Sequence, residues 1–103
     1  MIKDVLLLDG IQFNLEAKDK KECFEKMADI FYEHGKITSK EDYLKALYHR
    51  EKEGVTGMGN GLAIPHGLSK CVKEPTVLFC RLSHAIPYES MDGKGVNKVF
   101  MIA

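Results

Sequence analysis

GVTGMGNGLAIPHG, residues 54–67, is the stretch at which this chain changes character. Upstream of it the apolar residues recur at helical spacing. Downstream they gather into β-branched and aliphatic runs. The glycine-rich part, 54–61, reads as a polar loop whose glycines serve backbone with φ > 0. LAIP (62–65) reads as a short strand that Pro65 stops. Going back toward the N-terminus, Ser39 and Asp42 open a helix whose apolar face is Tyr43, Leu44, Leu47 and Tyr48, ending near Glu53 before Gly54. Before that, Asp19 as N-cap with Glu22 three residues on predicts a helix, with Cys23, Met27, Ile30 and Phe31 on one face and Gly35 closing it. VLLLDGIQFNL (5–15) reads as one or two short strands around the turn dipeptide Asp9-Gly10. Going forward, TVLFCRL (76–82) is a strand, HAIPYESMDGKG (84–95) a loop, and VNKVFMIA (96–103) a last strand. Helices in the first half and strands mostly in the second, in mixed order, predict helices packed on a sheet, of α/β or α+β type.

The chain has 103 residues, room for one small domain with a modest core. Lysine plus arginine equals aspartate plus glutamate, 15 of each, so the basic excess that nucleic acid or an anionic membrane demands is missing. Neither VLLL (5–8) nor VFMIA (99–103) is long enough to span a bilayer, and no secretory signal is visible. Cys23, Cys71 and Cys80 are an odd number at no zinc-like spacing. They read as free thiols of a cytoplasmic protein. No cofactor motif is present: Gly57, Gly59 and Gly61 alternate, but Leu62 follows, which fits neither a dinucleotide fingerprint nor a Walker loop.

His66 is the residue with chemistry in its setting. Pro65 stiffens the backbone before it, and Gly67 adds no side chain after it. A solvated turn histidine is the plain reading. A rigid mount suits a reacting group better. A metal site finds no support, because His34, His49 and His84 lie in other elements and no paired spacing exists. A hydrolytic base finds no serine elbow. The role that remains is a nucleophile that becomes phosphorylated, with one ring nitrogen held by an acceptor and cations or N–H donors for the phosphoryl oxygens. Arg50, Thr56 and the backbone of the glycine stretch are the candidates for that stabilisation. Arg50 can equally be a helix-end charge that complements the dipole.

The segment REKEGVTGMGNGLAIPHG (50–67) resembles the active-site segment of enzyme IIA domains of the bacterial sugar phosphotransferase system (PTS), fructose/mannitol type. YLKALYHRE before it and YESMDGKGVNKVFMIA after it are similar to the same family, so the likeness covers residues 1–103. The resemblance implies an α/β fold, a mixed β-sheet flanked by helices. It implies that His66 accepts a phosphoryl group through Nε2 from the phosphocarrier HPr and passes it to a IIB domain. Arg50 matches an arginine beside that histidine, and Thr56, Asn60 and Gly61 match pocket residues. No metal or cofactor is implied, and contact with the membrane is only indirect, through the sugar permease. The wording YESMDGKGV is closer to the fructose branch. A regulatory domain of the same fold and a non-enzymatic anion-binding module are the alternative readings. Family members carry a further segment with a second active-site histidine, a place that His84 does not take, so the chain resembles the N-terminal portion of the family domain.

A last expectation concerns residues 99–102. Val99 and Met101 share one face of the final strand, Phe100 and Ile102 the other, and both faces are apolar. Such a strand is built to be covered on both sides. It is expected either to pack against a second copy of the chain or to leave an exposed apolar patch.

Overall fold

A computed structural model describes residues 4–103. Two helices, α1 (Lys20–Glu33) and α2 (Lys40–Glu53), pack on a five-stranded sheet. The strands are β1 (Gln12–Leu15), β2 (Gly57–Gly59), β3 (Leu62–Ala63), β4 (Val77–Ile86) and β5 (Val96–Ile102), in the order β1-β4-β5-β3-β2. The sheet is mixed: β1 with β4 and β3 with β5 run parallel, while β4 with β5 and β2 with β3 run antiparallel.

The helices begin where the capping residues place them. The Asp19 side chain accepts the Glu22 N–H at 2.9 Å, and Ser39 accepts the Asp42 N–H at 3.1 Å. Glu22 reaches back to the Lys18 N–H at 3.2 Å. The first two satisfy donors that a helix start leaves unpaired, and the third ties the residue before the cap to the first turn. Gly35, at φ 70°, ends α1. The inward faces then form one core: Cys23, Phe24, Met27 and Phe31 of α1 and Tyr43 and Leu47 of α2 meet Leu78, Cys80, Val99 and Met101, all without exposed surface. Side chains of this size contribute about 1.5–3 kcal/mol each on burial. The register shifts between Arg81 and Ile86. Ile86 keeps the inward phase of Leu78, Cys80 and Leu82, and the shift brings Val96, out of phase with Val99 and Met101, inward opposite it.

Two strand readings change. The glycine-rich stretch is not all loop: residues 57–59 form β2 and hairpin onto β3, turning through Gly59, Asn60 and Gly61 at φ 100°, 56° and 77°. β4 runs on to Ile86, four residues past the expected end, because the β5 ladder continues to Ile86↔Val96. The N-terminal stretch keeps its reading: among the described residues it supplies the strand β1, with a 3-10 turn at Leu8–Gly10 where Asp9-Gly10 signalled a turn.

The sheet's two faces differ. β5 is an inner strand, and its Val99 and Met101 are wholly covered, whereas Ile102 is 39% exposed and Phe100 half-buried. Phe100 pairs with Phe79 across strands, ring centroids 4.7 Å apart, and Phe79 lies 6.4 Å from Phe13, itself 61% exposed. The open side therefore carries an aromatic strip beside the last strand. No helix of the described residues is long and apolar enough to cross a membrane.

Candidate active site

His66 is held from three directions. Pro65 before it is fully buried, and its carbonyl accepts the Ile102 N–H of β5 at 3.0 Å. The Ile102 carbonyl in turn accepts the Tyr43 hydroxyl of α2 at 2.6 Å, which ties helix, strand and loop together. Gly67 after it presses on α2: a Cβ there would lie 2.8 Å from the Leu47 nitrogen and 2.9 Å from Ala46 atoms. Glycine is thus required by the close approach of loop to helix backbone, a stronger reason than leaving the imidazole uncrowded.

The third hold is on the ring. His66 Nδ1 lies 3.0 Å from the Ile64 carbonyl oxygen. A carbonyl only accepts, so Nδ1 carries the proton and the lone pair is on Nε2. The half-buried imidazole borders a cavity of about 370 Å³ lined by Ala46, His49, Arg50, Glu53, His66, Gly67 and Leu68. Residues 46, 49, 50 and 53 follow helical spacing, so one face of α2 forms the wall opposite the loop. Arg50 Nη1 donates to the Gly54 carbonyl at 3.1 Å, which closes the helix end. A guanidinium has five N–H donors, so this bond leaves it able to meet an anion in the cavity. His49 Nε2 and Glu53 Oε2 stand 3.5 Å apart on the same wall. Leu68 is fully exposed at the rim.

The structure thus brings His66 and Arg50 to one cavity. Thr56, Asn60 and Gly61 do not line it. Thr56 is 2% exposed behind the site, its hydroxyl 2.6 Å from Glu51 Oε2 and 2.5 Å from the Tyr88 hydroxyl. Asn60 lies on the exposed turn, where its N–H reaches Asp92 Oδ2 at 3.0 Å, and Gly61 gives its carbonyl to the N–H groups of Asn97 and Lys98. The Asn60 and Lys94 N–H groups and the Ser90 hydroxyl pull the Asp92 carboxyl down to about 2. The titratable cavity residues not foreseen are His49 and Glu53. Their signal was available: both share the α2 face of Arg50.

Burial silences two of the thiols. Cys23, Cys71 and Cys80 are buried free thiols, and burial pushes Cys23 up to about 12 and Cys80 up to about 11. A thiol so protonated is a poor nucleophile. Among the described residues no group of three or more His, Cys, Asp or Glu side chains is placed to hold a metal ion.

Residues 4–103 match the family model described as "Phosphoenolpyruvate-dependent sugar phosphotransferase system, EIIA 2". The PTS fructose-like EIIA component of Escherichia coli K12 is 40% identical over 87 residues, covering 84% of this chain and 59% of that protein. The PTS fructose-specific EIIABC component of Bacillus subtilis is 35% identical, covering 99% of this chain and 16% of that protein. Among solved structures, the nitrogen regulatory protein IIA-Ntr of Neisseria meningitidis superposes with a TM-score of 0.89 at 36% identity, over 98% of this chain and 68% of that one. This chain therefore spans less than two thirds of the length of either PTS relative.

Proposed function

Because this chain belongs to the EIIA 2 family of the phosphoenolpyruvate-dependent sugar phosphotransferase system, we propose that it is a cytoplasmic phosphoryl carrier whose acceptor atom is His66 Nε2. One observation carries the reading: the Ile64 carbonyl holds the Nδ1 proton, and the imidazole borders the same cavity as Arg50. The Nε2 lone pair attacks the phosphorus of phospho-HPr. A new N–P bond forms as the donor's N–P bond breaks, and the released pair returns to the donor's ring. The His66 ring becomes cationic with Nδ1–H still on the Ile64 carbonyl, which stabilises that charge. Arg50 stabilises the phosphoryl oxygens in flight, and positioning with charge compensation is most of what such a transfer asks. The phosphoryl group then passes to a IIB domain, and fructose-type sugar uptake is the pathway the two PTS relatives favour.

A regulatory role has its own support in the likeness to the meningococcal IIA-Ntr. Incubation with phosphoenolpyruvate, enzyme I and HPr, followed by addition of a fructose-type IIB domain, separates the readings. A sugar carrier is labelled and then discharged by IIB. A regulatory domain is labelled and keeps its label. An anion-binding module stays unlabelled.

A further inference from the structure

The hydrogen bonds behind the cavity form one continuous path. The Thr56 hydroxyl has a single proton, and Glu51, as a carboxylate, can only accept, so Thr56 donates to Glu51 at 2.6 Å. The Tyr88 hydroxyl must then donate to Thr56 at 2.5 Å. Burial keeps Tyr88 protonated, pushing its pKa up. The Glu51 side chain is only 8% exposed, and its second oxygen is ion-paired to Lys20, whose Nζ also lies 4.4 Å over the Tyr88 ring. From Thr56 the path continues through the backbone. The Thr56 carbonyl accepts the Ile64 N–H at 2.9 Å, and the Ile64 carbonyl accepts His66 Nδ1–H at 3.0 Å. Glu51 directly follows Arg50 on the last turn of α2. One helical turn thus carries the cavity's arginine and the anchor that reaches, in three hydrogen bonds, the imidazole opposite.

We propose that Glu51 is a positioning residue for phosphoryl transfer, setting the His66 ring relative to Arg50 through Thr56 and Ile64. The inference rests on the carrier reading above. Glu51 touches neither the phosphoryl group nor His66. Lys20 lets the carboxylate stay charged while nearly buried, since an unpaired ion there would be costly. Four separate elements meet at this carboxylate, so a shift of α2 is transmitted to the loop.

The test measures single-turnover phosphorylation at saturating phospho-HPr for Glu51→Leu, Thr56→Val, their double variant and Thr56→Ser, with 15N NMR of the His66 ring in each. Misplacing a reacting group costs about tenfold to a hundredfold in rate. Glu51→Leu and Thr56→Val should each lose about that much and lower the Nδ1–H tautomer fraction. The double variant should be no slower than either single one, because both cut the same path. Thr56→Ser, which keeps the hydroxyl, should stay within about threefold of the parent. Should Glu51→Leu fail to fold, Thr56→Val against Thr56→Ser decides alone. Unchanged rate and tautomer in Thr56→Val, a Thr56→Ser as slow as Thr56→Val, or losses that multiply in the double variant would overturn the proposal. An unphosphorylated parent protein would instead refute the carrier reading, and the tautomer readout would still decide the relay.

Discussion

The glycine stretch 54–61 is fastened at its two ends by opposite physics. At the front, Thr56 is buried and bonds to an ion-paired carboxylate and a phenol. At the back, Asn60 is exposed, and its N–H is held by Asp92 on the solvated 90–94 turn. A buried polar group deprived of its partner has no water to turn to, whereas an exposed one does. The front should therefore govern stability and the position of His66, and the back should only shape the turn. The hairpin needs both, since β2 is three residues long and β3 two.

The largest effect is expected where the front of the stretch meets the cavity. Arg50 holds the Gly54 carbonyl through an exposed bond and also lines the cavity. Arg50→Ala should slow phosphoryl transfer by about 10²-fold, the scale of one electrostatic contact to a charged transition state, while the thermal midpoint barely moves. Equal rates for parent and variant would make Arg50 a helix-end charge and nothing more. Thr56→Val comes next. It keeps the shape but strips partners from Tyr88 and Glu51, and should destabilise the fold by about 1–3 kcal/mol in urea titration. A midpoint unchanged from the parent would erase the asymmetry between the two ends.

Asp92→Asn should have the smallest effect, a slight drop in melting temperature at neutral pH. Its sign with pH is defined. Folding lowers the carboxyl from 3.8 to about 2, chiefly through the Asn60 N–H, then the Lys94 N–H and the Ser90 hydroxyl. The contribution is thus fully present above about pH 4 and is lost as pH falls toward about 2. Melting parent and Asp92→Asn at pH 7, 4 and 2 should show the difference shrinking to a small fraction of its neutral value at the lowest pH. A difference that grows on acidification would reverse the assignment.

What the sequence discloses follows the range of the forces involved. Caps act over three residues, so Asp19 with Glu22 and Ser39 with Asp42 locate both helices directly. Amphipathic spacing likewise identifies Met27, Phe31, Tyr43 and Leu47 as core. β2 is invisible because Gly-Met-Gly has no alternation to read, and only its ladder to Ala63 and Leu62 makes it a strand. The end of β4 is missed for the same reason: Ser83, His84 and Ala85 are small or polar, and pairing with β5 carries the strand through them. At the site, Pro65-His66-Gly67 and Arg50 are legible because the motif is local. The Glu51 hub is not, since Lys20 and Tyr88 come from distant parts of the chain and each alone reads as a surface or loop residue. The open aromatic strip of Phe13, Phe79 and Phe100 was half legible: the apolar outward face of residues 99–102 announced it, and the pairing that gathers the three rings did not.

Peptide-level mass spectrometry shows which residue carries the phosphoryl group. After incubation with phosphoenolpyruvate, enzyme I and HPr, the parent chain should carry one added phosphoryl group, located on His66. His66→Ala, folded by circular dichroism, should carry none. Phosphate found on His49 or any other residue of the parent, or labelling that persists in His66→Ala, would mean that His66 is not the carrier.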